Sequence, residues 1–553
     1  MDFFQHIDQQ HELVDRTWQV IGKGPSFCNA PLTSSDAVSI GLNHVAGSID
    51  LDYWHVFDVD VFDEYNEEIA EKVKYLVIPD VMNELYDIPL YKRRQHRRTK
   101  RDIQEIIANH SLVQVFEREG RLLSYTRSRK TLINLPQHEK VNSSKSRSVM
   151  NGSFSGSTVV NLLAMAGVKK IMLVGIDGGK RYSQSFSRYE NTTRLDSGNA
   201  NFDAQFGEIA RIRNHYDVSI RHIDWPYPIE IYVGSEREQK LSTEVLSYSI
   251  QKNSSIDVIV KDLGLELEKK PQPNIDSLGG IESKTPFSYQ RFAIPKLMNP
   301  HQVAVYIDSD MLVLGDIREL ISYSRHGKRN ANAATTDPGW KRAQQLSVLI
   351  IDGQKCGWCL EEISKDLDDG VITYSDLFND DNVVGIDRTI PSDWNSLESY
   401  TPGRTRLIHF TDMHSQPWLS PSSGLAPIWC RYMIEYMEVL PEGIDILEDC
   451  ISKGWVRPGL AVQARDRKEN PVTIGLKRYC RDYFFCPPHI KRSIRLATND
   501  SKYSVIIRFI GKRFFYIFVS IVSRIRYFFR TNKLSNYFID ILKYVKAALI
   551  QRL

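Results

Sequence analysis

Two aspartates, two residues apart at the end of an apolar run, are the sharpest chemical feature of this sequence. The segment reads Val303-Ala-Val-Tyr306-Ile307-Asp308-Ser-Asp310-Met-Leu-Val-Leu-Gly-Asp316-Ile. Alternate side chains of an extended chain share one side, so Asp308 and Asp310 can present carboxylates to a single hard divalent cation. Such an ion neutralises the diphosphate that leaves a nucleotide sugar. A solvated turn is the bland reading of an isolated Asp-x-Asp. Here the pair ends a strand apolar enough to be buried, and a third acid, Asp316, precedes a helical stretch.

Glycine-rich turns offer a second kind of chemistry. Gly22-Lys-Gly24-Pro-Ser26 follows the strand-like TWQVIG, where backbone NH groups approach a phosphate or simply close a tight turn. Asn151-Gly-Ser-Phe-Ser-Gly156-Ser157-Thr158 leads into the apolar helix VVNLLAMAG, either as an anion seat or as a well-capped helix start.

The elements that must position these residues alternate in type. TWQVIG (17–22), YWHVFDVD (53–60), YLVIP (75–79), LVQVF (112–116) and KIMLVGID (170–177) read as buried strands separated by helical stretches, the pattern of a parallel α/β sheet. Asp224-Trp-Pro-Tyr-Pro228 suits a boundary. A second α/β unit follows: the strand IEIYVGS (229–235), a helix from EREQKLSTEVLSYSIQKN, and the strand DVIVKDL. Residues 268–286 read as a loop.

Two family resemblances rest on these motifs. G-x-G-P-S after the first strand, the GS-T helix start and "KKIMLVGID" resemble the Rossmann-type domain of family 42 bacterial sialyltransferases and related uncharacterised proteins, over about residues 15–225. That resemblance implies nucleotide contacts at Gly22, Gly24, Ser26, Gly156 and Ser157. Those enzymes bind a CMP-sugar without a metal and use a histidine base; His215 and His222 stand in no matching context and read as surface or core residues.

"IEIYVGSE…VLSYSIQKNSS", "SYQRFAIPKL", "VAVYIDSDMLVLGDIREL", "WNSLE" and "LIHFTDMHSQPW" occur in that order and resemble glycosyltransferase family 8 over about residues 228–430. The resemblance implies a GT-A fold, a nucleotide-sugar donor, Mn²⁺ (or Mg²⁺) and retention of configuration. It places Asp308, Asp310 and His409 on the metal, with Asp308 also near the ribose, and Tyr232, Gly234 and Arg291 near the nucleotide. Gln416 stands where the family carries a lysine that reaches the diphosphate, and the spacing from His409 to Trp418 is one residue longer than the family's. His414, Arg404 and Arg406 are the nearby compensating cations. The family's Asp-Gln-Asp segment is absent before "WN", leaving Asn395 and Asp381 as catalytic candidates beside Asp376 and Asp380. Retention then implies front-face attack assisted by the leaving phosphate.

Composition separates the chain into two unlike parts. Its 553 residues carry 71 Lys+Arg, 68 Asp+Glu and seven Cys. From Lys491 to Leu553 there are fourteen basic and two acidic residues, a net +12, which leaves residues 1–490 at −9. The tail interleaves aromatics with Arg/Lys, and its longest uncharged stretch is ten residues (514–523), too short to span a bilayer and suited to helices lying in an anionic interface. A helical cap on the body is the soluble alternative. The start of the chain shows no basic region followed by an apolar core, and the scattered cysteines fit a reducing cytosol. Cys356-Gly-Trp-Cys359 reads as buried thiols rather than a redox pair. Lys92–Arg101 holds seven basic residues in ten, yet one such run on a −9 body does not make nucleic acid an expected partner.

These readings combine into an α/β protein with two nucleotide-binding Rossmann-like modules, the second a GT-A fold, followed by a basic amphipathic helical tail. The expected divisions are 1–225, 226–440, a helical extension at 441–490 and the membrane-associating tail at 491–553. The expected activity is Mn²⁺-dependent, retaining transfer from a nucleotide-diphospho-sugar, with a UDP-sugar favoured, to a lipid-linked surface glycan. The first module is either a second transferase or a scaffold. The expected location is cytoplasmic, peripheral on the inner face of the membrane. The alternative is an inactive sugar-nucleotide-binding or assembly protein of polysaccharide synthesis.

Overall fold

A computed structural model of the chain describes residues 1–29, 36–80, 105, 107–136, 141–142, 147–189, 202–269, 277–278, 281–282, 288–337 and 345–496. The basic run at 92–101 and the tail from 497 lie outside these residues, as does most of the 268–286 loop.

The first half is built on an eight-stranded, all-parallel sheet. Its strands are β1 (Thr17–Ile21), β2 (Ala37–Leu42), β3 (Leu51–His55), β4 (Val73–Pro79), β5 (Leu122–Thr131), β6 (Ser148–Asn151), β7 (Lys170–Val174) and β8 (Ser219–His222). They lie side by side in the order β6-β5-β4-β3-β2-β1-β7-β8. The chain therefore moves outward from β1 to β6 and then returns to the far side of β1. Ligands of open α/β sheets bind at such a reversal, here between β1 and β7.

The reading of 112–116 as a strand is corrected by the structure. LVQVF lies within the helix Ser111–Arg118, with Leu112, Val113, Val115 and Phe116 buried. A five-residue apolar run fits either period. The polar residues Gln114, Glu117 and Arg118 fall on the opposite side only if the segment is helical. The 53–60 run is strand only as far as His55, before the 3₁₀ turn Val59–Glu64.

The second half holds a six-stranded mixed sheet ordered β10-β9-β13-β16-β15-β17. These are β9 (Ile229–Gly234), β10 (Val258–Asp262), β13 (Val303–Asp308), β15 (Ala331–Ala334), β16 (Val348–Asp352) and β17 (Ile386–Ile390), with the hairpin β11 (Ser277–Leu278) and β12 (Ile281–Glu282) outside the sheet. Three short strands, β14 (Met311–Val313), β18 (Ser396–Leu397) and β19 (Leu407–His409), form a separate sheet ordered β14-β19-β18. Both α/β sheets expected from the sequence are thus present.

Buried polar contacts join the halves. The Arg213 guanidinium, on the helix Ala204–His215, donates to the Ser254 carbonyl at 3.0 Å and to Gln251 Oε1 at 3.4 Å. Asp257 N donates to the Ile220 carbonyl at 2.8 Å, and the Asp257 carboxylate in turn accepts from Ile220 N at 3.2 Å. Arg318 reaches from the second half to the Asp177 carbonyl at 3.0 Å, with its guanidinium 3.4 Å from the Phe206 ring centre.

Leu447, Cys450, Val456 and Leu460 of the 441–490 segment pack against the helix Lys240–Asn253 and the short β14-β19 pair. Arg457 is fully buried, donating to the Pro417 carbonyl at 2.8 Å and pairing with Asp482 at 2.6 Å. Removing one member of a buried pair strands the other charge. Arg457→Met is expected to cost about 3–5 kcal/mol, read as a lower urea midpoint. Arg457→Met/Asp482→Leu should recover most of that loss, and a single variant with a wild-type midpoint would refute the assignment.

Candidate active site

The strand β13 carries its acids to the C-terminal edge of the second sheet. It pairs in parallel with β9, setting Asp308 opposite Gly234. A Cβ at Gly234 would overlap the Tyr306 hydroxyl, so this position admits only glycine. Tyr306 Oη donates to Asp308 Oδ1 at 2.5 Å, and Arg291 Nη2 lies 3.4 Å from the same oxygen. The Arg291 guanidinium also stacks 4.6 Å over the Tyr306 ring and donates to the Ser288 and Leu346 carbonyls. Arg291 is therefore a buried support for Asp308. Tyr232, in register with Tyr306 on the neighbouring strand, donates its hydroxyl to Glu230 Oε2 at 2.6 Å and is buried in the core.

A second pairing supplies the histidine. The chain turns after Asp310 into β14, which runs antiparallel to β19 with Met311 opposite His409. Phe410 N donates to the Asp310 carbonyl at 2.9 Å. Residues a hundred positions apart are thereby brought together, with His409 Nε2 3.2 Å from Asp310 Oδ1. One ligand atom from each of Asp308, Asp310 and His409 lies within 4.8 Å of the others. The buried Asp310 Oδ1 receives no hydrogen bond of proper geometry despite that ion-pair contact.

Asn395, expected among the reacting groups, instead orients His409. Its Oδ1 lies 2.9 Å from His409 Nδ1, so a proton on Nδ1 leaves the Nε2 lone pair directed at the acids. Gln416 Nε2 donates to the Phe410 carbonyl at 2.9 Å and lies 3.4 Å from Asp310 Oδ2, bracing the same corner. Asp381 does not join the cluster: both its oxygens are held by Arg388, at 2.7 and 2.8 Å. Of the possible compensating cations, Arg404 pairs with Asp393 and Arg406 with Glu319, while the His414 ring packs against that of His489.

The electrostatics follow from this crowding. Burial pushes the Asp308 pKa up, Asp310 adds to the push, and Arg291 pulls against both. Burial disfavours a charged His409, but the nearby Asp310, Asp308 and Glu398 outweigh it and hold its pKa above the usual imidazole value. Two hard carboxylates, one of them with an under-bonded buried oxygen, and one imidazole form a donor set that fits Mn²⁺ or Mg²⁺.

Sequence reasoning missed two supports. Tyr306 stands two residues before Asp308, and that spacing places it on the same side of the strand. Glu398 adopts a left-handed backbone (φ 48°) while its Oε1 accepts from Asp412 N at 2.8 Å, and only the closed loop reveals it.

The first half is arranged differently from expectation. Gly22 N and Gly24 N donate to the Val174 and Gly175 carbonyls, both at 2.7 Å, and Ser26 N donates to Asp177 Oδ2 at 2.8 Å. The NH groups expected to face a phosphate thus clasp the loop after β7. A Cβ at Gly24 would overlap Asp177, and one at Gly156 would lie 2.7 Å from Gln205 Oε1. At the start of the helix Ser155–Met165, the buried Glu208 carboxylate accepts from Ser157 Oγ at 2.6 Å, Ser153 Oγ at 2.7 Å and Ser153 N. A carboxylate of the chain itself thus lies beside the helix start that the sequence suggested as a phosphate seat. A second acidic-histidine group, Asp177, His222 and Asp224, lies between the halves, with His222 Nε2 3.0 Å from Asp177 Oδ1 and Asp224 ion-paired to Arg325.

Comparisons with known proteins agree with the resemblance of the second half. Residues 224–360 match the family model described as glycosyl transferase family 8. Protein CDI of Arabidopsis thaliana is 25% identical over 232 residues, spanning 38% of this chain and 87% of that protein. An α-2,3-sialyltransferase from Campylobacter jejuni in its apo form is similar at 12% identity and a TM-score of 0.21, covering 38% of this chain and 75% of that one. The apo structure of the bifunctional glycosyltransferase WbbM is similar at 10% identity and a TM-score of 0.27, covering 78% of this chain and 99% of that one.

Residues that orient a metal-binding imidazole tune metal affinity by about ten- to hundredfold. Asn395→Leu should weaken Mn²⁺ binding by that factor, followed through the paramagnetic resonance of free Mn²⁺, whereas Asp381→Asn should leave it unchanged. Equal affinities for Asn395→Leu and wild type would remove Asn395 from the site.

Proposed function

We propose that this chain, whose second half is a nucleotide-sugar glycosyltransferase of the family 8 type, moves a sugar from a UDP-sugar to a lipid-linked surface glycan with retention of configuration. The observation that carries this reading is the convergence of Asp308, Asp310 and His409 at the end of β13. A bound Mn²⁺ or Mg²⁺ would supply charge neutralisation of the diphosphate. The protein's part is preorganisation. Tyr306 and Arg291 fix one oxygen of Asp308, Asn395 fixes the imidazole, and Gln416 braces Asp310. Gly234 lets the backbone of β9 pass close beside the acids. Groups held in advance gain most from a transition state whose charge builds on the leaving oxygens.

With neither Asn395 nor Asp381 presented as a nucleophile, retention fits attack on the face that the diphosphate leaves. The bond from the anomeric carbon to the diphosphate breaks as the bond to the acceptor oxygen forms, and the acceptor proton passes to the departing phosphate. The first half, with its own internal anions, acts as a scaffold for the second.

The basic, aromatic segment beyond the described residues suits the cytoplasmic face of an anionic membrane, where lipid-linked acceptors are met. Among the described residues no helix is long and apolar enough to cross a membrane.

Release of UDP from UDP-sugars should require Mn²⁺, stop on chelation, and fall about a hundredfold or more in Asp310→Ala. Absence of turnover with every nucleotide sugar and acceptor lipid offered would favour an assembly protein instead. Deleting residues 497–553 should abolish co-flotation with anionic, but not neutral, vesicles; flotation that survives the deletion would refute the tail's role.

A further inference from the structure

The helix Pro488–Leu496 touches two loops that are far apart in sequence and that both border the acid pair. One loop follows β9, where Gly234 lies opposite Asp308 and Glu236 and Glu238 come two and four residues later. The other runs from Phe410, whose NH meets the Asp310 carbonyl, to Gln416, whose amide lies 3.4 Å from Asp310 Oδ2. Arg492 Nη2 lies 3.0 Å from Glu238 Oε2 and 3.4 Å from Glu236 Oε2. His489 packs its ring against that of His414 in the second loop, with centres 5.7 Å apart. His489 and Arg492 are three residues apart and so share a side of the helix. One helical turn thus reaches from one flank of the acids to the other, and the buried Ile490 holds it there.

A short relay ties the first of these loops to the acids themselves. Gln239 Oε1 accepts from Glu236 N at 3.1 Å and from Ser309 Oγ at 2.8 Å. Ser309 is the residue between Asp308 and Asp310. The glutamate that meets Arg492 is therefore one side chain removed from the acid pair.

The charge around this mouth is unbalanced. Asp308, Asp310, Glu398, Asp412, Glu236 and Glu238 all bring carboxylates to it. Of the nearby arginines, Arg291 is buried against Asp308, Arg404 is paired with Asp393 and Arg406 with Glu319. A diphosphate entering such a field is repelled unless cations meet it. Arg492 is placed to be one of them. Its side chain is 47% exposed, and among the described residues only Nη2 is engaged. Nε and Nη1 are left as donors, and a guanidinium can hold several phosphate oxygens at once.

We propose that Arg492 binds the phosphates of the donor nucleotide, so that the helix Pro488–Leu496 forms one wall of the donor site. The assignment rests on the nucleotide-sugar reading above. The test is calorimetry of the full chain in Mn²⁺ with uridine, UMP and UDP as probes. Arg492→Gln should weaken UDP binding about tenfold, UMP binding less, and uridine binding not at all. Arg492→Lys, which keeps the charge but not the fork, should recover part of the loss. The melting temperature of Arg492→Gln should stay at the wild-type value, because a half-exposed ion pair adds little stability. Glu238→Gln separates the phosphate role from a merely structural one. It removes a carboxylate that competes for Arg492, so UDP should bind at least as tightly as to the wild type.

Equal UDP affinity in wild type and Arg492→Gln overturns the proposal and leaves the nucleotide-sugar reading intact. Comparable losses in Arg492→Gln and Glu238→Gln also overturn it, since the ion pair then serves only to hold the helix. So does an equal loss for uridine and UDP. Failure of the wild type to bind UDP at all removes both the proposal and the donor-site reading. UDP binding that depends on Arg492 without turnover of any nucleotide sugar would count against the transfer reading alone.

Discussion

Two carboxylates fixed two residues apart at the end of a buried strand repel one another, and the second half of this molecule is organised around that repulsion. Water would screen them, but Asp308 is buried and Asp310 nearly so. In so poor a dielectric each neighbour matters. Arg291 and Tyr306 answer one acid; His409 and Gln416 answer the other. None of these partners is adjacent in sequence to the acids except Tyr306. The antiparallel pairing of β14 with β19 brings His409 to the acids, while Arg291 comes from the short turn Gln290–Ala293. Even the Arg457–Asp482 pair, far down the chain, serves this end by holding the Pro417 carbonyl beside Gln416.

The first half shows the opposite arrangement, in which the sites where charge would be expected are already neutralised from within. Asp177 ties the glycine turn after β1 to the loop after β7. Arg318 from the second half lies against that same loop. The halves are further joined at Asp257, whose NH donates to the Ile220 carbonyl and whose carboxylate accepts from Ile220 N.

The legible part of the sequence was local and periodic. The candidate triad could be read because Asp308 and Asp310 obey strand spacing and His409 lies in a motif of its own. The run at 112–116 misled because five apolar residues do not define a period, and the decisive Glu117 and Arg118 lay just past it. Strands β2 and β8 escaped notice because Ser39, Gly41 and Arg221 break their apolar runs. The role of Asn395 was hidden for another reason. Its partner is fourteen residues away across a parallel pairing of only two residues, which no spacing rule encodes. Glu208 likewise reaches Ser157 across two helices, with no motif to mark it.

That carboxylate gives the first half an unusual thermodynamic character. A helix start facing a phosphate gains its stabilisation when ligand arrives; this one has it from the moment of folding. An anion approaching the Ser155–Met165 helix would meet a buried glutamate that already accepts from three donors. The start of this helix is thus supplied with its acceptor by the chain itself.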